Sequence, residues 1–169
     1  MRYRMLVLTL VALLCSVLLS ACGGGGGGAS ASASRSDPTV RLSLSVQTTS
    51  QQVTVTLSAD NARALHQLAC RIAYNPQALR YRGSVRGSLV DQRAVFFTTA
   101  RASAYVPVAF TYHAGEQTPA SSGPIATLTF DTLDASQPFG LHVLEDGNYL
   151  IARDDGRHPL ALTISGGTP

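Results

Sequence analysis

Residues 40–57 read VRLSLSVQTTSQQVTVTL, and two apolar series within them decide the fold class. In each series every second residue is apolar and the residues between are polar. The apolar positions are Val40, Leu42, Leu44 and Val46, then Val53, Val55 and Leu57. A strand with one buried face has this period of two, whereas an amphipathic helix repeats every three to four residues. The stretch therefore predicts two half-buried strands.

The same alternation continues along the chain, and turn-forming residues separate its segments. The further strand segments are predicted at 68–74, 79–81, 106–112, 126–130, 141–143, 149–151 and 160–164. A helical turn is expected at most within 61–68, and Asp146-Gly147-Asn148 and Asp154-Asp155-Gly156 are interpreted as hairpin turns. Eight or nine strands with one apolar face each must pack those faces together, so we expect an all-β fold built as a two-sheet sandwich.

The N-terminal 22 residues have a different composition from the rest of the chain. Two arginines, Arg2 and Arg4, precede an apolar run from Met5 to Leu19, and small residues follow. This order is typical of a bacterial secretory signal, and the apolar run is shorter than the roughly 20 residues of a spanning helix. We interpret residues 1–21 as a signal peptide.

The end of this signal, Leu19-Ser20-Ala21-Cys22, resembles the lipobox of bacterial lipoproteins. The resemblance implies that Cys22 becomes the first mature residue and carries the lipid, which would anchor the protein to a membrane without spanning it. By the same resemblance, Gly23 after the cysteine favours the outer membrane. Residues 22–37 contain six glycines and then Ala-Ser repeats, a composition that predicts a flexible tether, with the folded domain at 38–169.

Charge and cysteine count exclude several classes of protein. The thirteen basic residues are all Arg, and removal of Arg2 and Arg4 leaves eleven against ten acidic residues, a net charge of +1. A strongly basic nucleic-acid-binding protein is therefore not expected. Once Cys15 leaves with the signal and Cys22 is acylated, Cys70 is the remaining thiol, which excludes an internal disulfide. Its alternation with Leu68 and Ile72 predicts a small buried residue.

Several motifs together resemble the bacterial cohesin domain, whose jelly-roll sandwich is shared with family-3 carbohydrate-binding modules. They are 53–57 (VTVTL), 68–79 (LACRIAYNPQAL), 87–89 (GSL) and 123–130 (GPIATLTF). Tyr74-Asn75-Pro76 matches the Tyr-Asp-Pro corner of that family, with Asn in place of Asp. The resemblance spans roughly residues 39–165 and implies a jelly-roll sandwich that binds a partner through one sheet.

The resemblance also indicates which positions form the binding surface. Cohesins bind dockerins through a sheet face, which implies the outward positions of the strand at 68–74 and of its neighbour at 106–112. The candidate residues are Gln67, Ala69, Arg71 and Ala73, then Tyr105, Ala109, Thr111 and His113. We expect Gln67, Arg71, Tyr105, Thr111 and His113 to make the principal contacts.

Arginines and acids are unevenly distributed, and two interpretations are open. Residues 63–101 hold seven arginines against Asp91 alone, while 116–157 hold seven acids against two arginines. An arginine-rich face would bind an acidic partner or an anionic glycan. Alternatively, the two halves lie side by side and neutralise each other as a solvated surface.

No pattern in the sequence indicates catalysis. The four histidines are far apart, without the short spacing of a zinc site, and no Gly-x-Ser-x-Gly elbow occurs. We therefore expect a non-enzymatic protein without a metal or cofactor. The principal hypothesis is a dockerin-like or other envelope protein as the partner. The alternatives are polysaccharide binding, for which Tyr105 and one of Phe96 and Phe97 would supply aromatic platforms, and a structural accessory of an envelope or secretion assembly.

Overall fold

Ten strands account for about half of residues 39–99 and 104–168, the parts of the chain that the computed structural model describes. The strands are β1 (Val40–Thr48), β2 (Gln52–Asp60), β3 (Gln67–Ala73), β4 (Leu79–Arg86), β5 (Val95–Thr98), β6 (Tyr105–Thr111), β7 (Ser122–Thr132), β8 (His142–Val143), β9 (Ile151–Arg153) and β10 (Leu162–Gly166). The predicted signal peptide, Cys22 and the tether to residue 37 lie outside the described residues.

The first sheet has the strand order β10-β1-β2-β7-β4. Its neighbours are antiparallel except β1 and β10, which run parallel with Val40 opposite Leu162. Every second residue is buried from Val40 to Leu44 in β1 and from Val53 to Ala59 in β2, and Val46 is partly buried against the core, so the alternation in 40–57 marks the inner face of this sheet. The prediction of two half-buried strands there is confirmed.

The second sheet has β5, β6 and β3 in order, and both β8 and β9 pair with the remaining edge of β3. Val143 lies opposite Ile72 and Ile151 lies opposite Ala69, so β8 and β9 run in the same direction along one neighbour. They are two parts of an edge strand that residues 144–150 interrupt. The interpretation of Asp146-Gly147-Asn148 as a hairpin turn is therefore wrong, because a hairpin reverses the chain.

The turn at 154–157 does form a hairpin. Arg153 and Pro159 form an antiparallel bridge across it, and the Arg157 amide donates to the Asp154 carbonyl at 3.0 Å. This is the hairpin expected from Asp154-Asp155-Gly156.

The core lies between the inner faces of the two sheets and is almost entirely apolar. Phe130 of β7 is its largest fully buried side chain, with ring centroids of Tyr74 and Tyr81 at 5.1 and 5.6 Å. Offset or edge-on aromatic pairs at this spacing add to the stabilisation from burial alone. All-β architecture with two packed sheets, as expected from the sequence, is the observed fold.

The corner after β3 is held by the side chain of Asn75. Its Oδ1 accepts from the Gln77 amide at 3.0 Å, and its Nδ2 donates to the Pro138 carbonyl at 2.9 Å. The backbone carbonyl of Asn75 accepts from the Leu79 amide at 2.9 Å. The first bond is the side-chain turn bond that Asn or Asp supplies. The bond to Pro138 requires an amide nitrogen as its donor. The corner therefore depends on the asparagine that this chain has where the cohesin pattern has aspartate.

One strand was not predicted, and the turn expected within 61–68 is present. β5 is a tenth strand that the alternation did not predict, because Phe96 and Phe97 are adjacent apolar residues. Residues 61–66 form a single turn, in which the Leu65 amide donates to the Ala62 carbonyl, and no helix occurs in the described residues. In the same residues there is no helix of the length and apolar character needed to cross a membrane.

Candidate binding face

The outer face of the second sheet, away from the core, presents Gln67, Ala69 and Arg71 of β3 and the odd-numbered residues of β6, whereas Ala73, which was predicted to face outward, is buried. Gln67 lies opposite Thr111, and Ala69 opposite Ala109, while the alternate residues Leu68 and Val108 are buried. Because side chains alternate across a strand, one parity faces the core and the other faces solvent. Apart from Ala73, the predicted parity of β3 and β6 is confirmed.

The strands on either side enlarge this face with exposed apolar side chains. On β5, Val95 is 59% exposed and Phe97 is 53% exposed, opposite Thr111 and Ala109 of β6. On the other side, Tyr149 is 42% exposed just before β9. Scattered apolar residues are ordinary on a protein surface, whereas several on one sheet face mark a place where another molecule binds.

Arg71 lies in the middle of this face against two tyrosine rings. Its guanidinium carbon is 3.1 Å from the ring centroid of Tyr149 and 4.4 Å from that of Tyr105. Arginine stacks on aromatic faces through its planar, delocalised cation. The two rings therefore hold the guanidinium in one place on the surface.

The interrupted edge strand explains how Tyr149 reaches Arg71. The amides of Asn148 and Tyr149 donate to the Asp146 side chain and carbonyl, at 3.0 and 2.8 Å. The Leu144 amide donates to the Arg71 carbonyl at 2.9 Å, which fixes the start of the same segment to β3. Residues 144–150 thus form a short excursion that places a tyrosine over the neighbouring strand.

A shallow depression of about 210 Å³ lies beside Arg71. Small residues at the strand centres, Ala69 and Ala109, leave the space, and larger side chains border it. The border includes Phe97, Pro107, Tyr149 and Ile151. A depression of this size accommodates one or two apolar side chains.

The structure brings four of the five principal predicted residues together and separates the fifth. Gln67, Arg71, Tyr105 and Thr111 lie on β3 and β6 with their side chains outward. His113 lies beyond the end of β6 at Thr111, where the chain turns, and it borders one cleft together with Gln67 and Thr111. The separation is local, since His113 follows β6 by two residues.

His113 instead borders a polar cleft of about 450 Å³ at the end of the second sheet. His66 lies at its base, with Nδ1 donating to the Glu116 carbonyl at 2.8 Å. The Asp155 carboxylate accepts from the Gly115 amide at 3.0 Å and joins the two loops around the cleft. Gln67 and Thr111 border both the cleft and the binding face.

Phe97, Val95 and Tyr149 were not predicted as part of the principal site. Phe97 was considered only as a possible aromatic platform together with Phe96. The structure separates the two, because Phe96 packs against the core and Phe97 faces solvent. The sequence signal for this segment was the run Val95-Phe96-Phe97, four residues after the Asp91 turn.

The other outer face of the sandwich has a different chemistry. Outward positions of the first sheet are mainly hydroxyl residues, and Thr54 lies opposite Thr129 while Thr56 lies opposite Thr127. Ser43 and Ser45 continue the pattern on β1. Serine and threonine hydroxyls exchange hydrogen bonds with water, so this face is mainly a solvated surface. Val85 of β4, which is 68% exposed beside Thr127, is the one large apolar side chain on the described strands of this sheet that is more than half exposed.

Ion pairs between the two oppositely charged halves of the sequence occur on the surface. Arg80 and Arg82 lie 2.9 and 3.3 Å from the Asp131 carboxylate, and Arg93 lies 4.0 Å from Glu116. Neutralisation between the halves therefore accounts for these arginines. Arg71 has no carboxylate within 4.0 Å among the described residues.

Two observations on the described residues concern the buried thiol and metal binding. Cys70 is buried, as the alternation predicts, and burial raises the pKa of its thiol to about 12, so the sulfur stays protonated at neutral pH. No group of three His, Cys, Asp or Glu residues in 39–99 and 104–168 is arranged to hold a metal ion. The arrangement on the second sheet is suited to binding through packing and charge.

The sequence matches no protein-family model, and no curated protein matches it. Cohesins are among the solved structures with a similar fold. They include a non-cellulosomal cohesin from Archaeoglobus fulgidus at 13% identity and a TM-score of 0.62, covering 77% of this chain and 88% of that one. The sixth cohesin of scaffoldin B from Acetivibrio cellulolyticus, solved with a dockerin, has 15% identity and a TM-score of 0.65, covering 77% and 96%.

A third similar structure is the seventh type I cohesin of a scaffoldin from Pseudobacteroides cellulosolvens. It has 11% identity and a TM-score of 0.64, and the match covers 77% of this chain and 90% of that one. The sandwich of this chain is therefore cohesin-like, as the motifs at 53–57, 68–79 and 123–130 implied.

Proposed function

We propose that the protein is a lipid-anchored, non-catalytic binding module that captures another protein on the outer face of β5, β6, β3 and β9. One observation carries the proposal, which is the contrast between the two outer faces of the same sandwich. The first sheet presents rows of Ser and Thr with a single exposed large apolar side chain, Val85, whereas the second presents Val95, Phe97 and Tyr149 to solvent around Arg71.

Exposed apolar surface of this kind favours a protein partner. Burial of apolar area gives roughly 25 cal/mol per Å², so exposed aromatic side chains contribute favourable binding free energy when a partner covers them. Protein interfaces are enriched in Tyr, Phe and Arg at their centres. The cohesin-like fold supports a dockerin-like protein as the partner, since the similar scaffoldin B cohesin is itself solved with a dockerin.

Polysaccharide binding is the second candidate function, and it depends on whether the tyrosine rings have a free face. A sugar platform needs a free aromatic face on which a pyranose ring can lie. The rings of Tyr105 and Tyr149 both lie against the guanidinium of Arg71. Because that cation already stacks on them, the geometry favours a protein partner over a sugar.

The anchor belongs to the same proposal and follows from Leu19-Ser20-Ala21-Cys22. Acyl chains on Cys22 would hold the protein at the outer membrane, and the Gly-rich segment would let the sandwich reach its partner. The test is incorporation of tritiated palmitate into the expressed protein. We expect labelling of the natural chain and none of the Cys22→Ala variant, and labelled Cys22→Ala would contradict the anchor.

A capture experiment tests the binding face. The bait is the chain from Asp37 onward, which contains the whole described core, and it is incubated with envelope and secreted fractions of the source bacterium. Retained protein and retained sugar are both measured. We expect one defined protein to bind saturably.

Two matched substitutions to arginine, one on each outer face, show which face binds the partner. Ala109→Arg places a long charged side chain in the middle of the second sheet, and Thr56→Arg places the same side chain in the middle of the first. Capture should be lost with Ala109→Arg and retained with Thr56→Arg, with thermal unfolding confirming that both variants are folded. Capture that survives Ala109→Arg, or retention of sugar without protein, would contradict the proposal.

A further inference from the structure

We propose that Arg71 is the recognition point for a carboxylate of the partner, and that the depression beside it receives an aliphatic side chain next to that carboxylate. The inference rests on the proposed function and specifies the chemistry of the partner. It predicts an Asp or Glu beside a Leu-sized residue on the surface that docks.

The first step is that the guanidinium of Arg71 has no partner for its N–H groups within the described residues. No carboxylate lies within 4.0 Å, and its side chain makes no hydrogen bond there. Arg41, Arg63, Arg153 and Arg157 are likewise without a partner in the described residues, but of these five arginines only Arg71 lies over aromatic rings. Arg80 and Arg93 differ from Arg71. Arg80 donates to Asp131 at 2.9 Å and Arg93 donates to Asp91 at 2.6 Å.

The second step is that stacking orients the guanidinium without using its N–H groups. The guanidinium carbon lies over the rings of Tyr149 and Tyr105, at 3.1 and 4.4 Å from their centroids. The N–H bonds lie in the guanidinium plane, so they stay available for an acceptor that approaches edge-on. A planar fork of donors matches a carboxylate bidentately, and the tyrosines reduce the side-chain entropy lost on binding.

The third step is the charge of the surrounding surface. No outward position of β3, β5, β6 or β9 holds an acidic residue, while Arg153 of β9 adds a second cation beside Gln67. The strands of the binding face therefore carry two cations and no acidic residue, so a partner that presents a carboxylate to Arg71 is favoured and one that presents a cation is opposed.

The fourth step is the apolar depression next to the cation. Ala69 and Ala109 leave about 210 Å³ of space bordered by Phe97 and Tyr149. An aliphatic side chain in this space would bury apolar area and exclude water from the neighbouring ion pair, which strengthens the Coulombic attraction. Carboxylate and aliphatic group must therefore lie within a few ångströms of each other on the partner.

A matched pair of short peptides tests this chemistry without the natural partner. The probes are acetyl-Leu-Asp-Leu-amide and acetyl-Leu-Asn-Leu-amide, which differ in the charge of the central side chain. Each is titrated into the isotope-labelled chain from Asp37 onward while the side-chain Nε–Hε signal of Arg71 is followed by NMR. We expect saturable shifts of that signal and of the Ala69 and Ala109 amides, with about fivefold tighter binding of the Asp peptide.

Two substitutions to glutamine assign the discrimination to one residue. Arg71→Gln should abolish the preference for the Asp peptide, whereas Arg41→Gln, which removes an exposed arginine from the opposite sheet, should leave it unchanged. Tyr149→Phe keeps the stacked ring and should preserve the preference, while Tyr149→Leu should weaken it. Equal affinity of the two peptides, or a preference that survives Arg71→Gln, would overturn the assignment.

The outcomes separate this inference from the proposed function. If a protein is captured through the face defined by Ala109→Arg but the peptides are not distinguished, the carboxylate assignment fails and the binding module stands. If the Asp peptide is preferred and no protein is captured, the charge recognition stands and the proposed function fails.

Discussion

The side-chain amide of Asn75 donates to the backbone carbonyl of Pro138 at 2.9 Å, joining the corner after β3 to the segment that leads into β8. The two residues are 63 positions apart in the chain. The bond therefore links local turn chemistry to the tertiary fold, and it depends on an amide nitrogen that an aspartate lacks.

Asn75→Asp should destabilise the protein by about 1–3 kcal/mol, although Asp is the residue that the cohesin corner carries. The variant keeps an acceptor for the Gln77 amide but brings a carboxylate oxygen against the Pro138 carbonyl in place of a donor. Urea unfolding at pH 7 measures the change. Asn148→Asp is the control, since its side chain is exposed. A stability equal to the natural protein would show that the Pro138 bond is dispensable.

Gly87→Ala should lower the free energy of unfolding by about 1–3 kcal/mol, because backbone atoms occupy the space that the added methyl group needs. An added Cβ would come within 2.1 Å of the Pro124 carbonyl oxygen, which lies on the neighbouring β7. Gly83→Ala provides the comparison, since a Cβ there meets nothing within 4 Å. Thermal unfolding should separate the two variants clearly, and equal melting temperatures would contradict the close approach.

Acid should destabilise the protein in part through Asp91. The Arg93 guanidinium, which donates to its carboxylate at 2.6 and 2.8 Å, holds the pKa of Asp91 below its ordinary value. A lowered folded-state pKa means that the stabilisation is present above about pH 4 and is lost as the pH falls further. Stability measured between pH 5 and pH 2 should therefore fall less steeply for Asp91→Asn.

Arg93→Gln removes the same ion pair by changing the arginine. It should likewise make stability fall less steeply between pH 5 and pH 2. Asp91→Asn retains an Oδ1 acceptor for the Arg93 amide, so the turn itself is kept. If the two variants give pH profiles parallel to that of the natural protein, the pair does not contribute to acid sensitivity.

Cys70 should be unreactive in the folded protein. Burial raises its pKa to about 12, so almost none of the thiol is ionised at pH 8, and the side chain is out of reach of solvent. A chromogenic disulfide reagent added to the chain from Asp37 onward should react only after denaturation. Phe97→Cys supplies an exposed thiol as the positive control, and rapid reaction of Cys70 in the native protein would contradict its buried position.

The features predicted best from the sequence are those that a repeat of two residues determines, namely which side chains of a strand face the core and which face solvent. In β3, Leu68 and Ile72 were expected inside and Arg71 outside, and one register fixes all three, because a slip by one residue would expose the apolar set. The corner at Asn75-Pro76 was also predictable, because proline and a short amide side chain act locally.

The remaining parts of the site depend on tertiary pairing. Tyr149 reaches Arg71 because β8 and β9 share one neighbour, a relationship between residues about 75 positions apart that no local pattern contains. β5 was missed because adjacent Phe96 and Phe97 have opposite environments, one against the core and one in solvent. His113 was placed on the face because the alternation did not show where β6 ends.

The pairing of β1 has a mechanical consequence. Its residues from Arg41 to Thr48 are matched to β2, and those from Val40 to Leu44 are also matched to β10, which runs parallel to it. Tension entering the domain at Val40 acts along the strand axis, so it loads these hydrogen bonds together in shear instead of opening them one at a time. For the anchored binding module proposed above, a load applied through the N-terminal end should release the bound partner before the sandwich unravels.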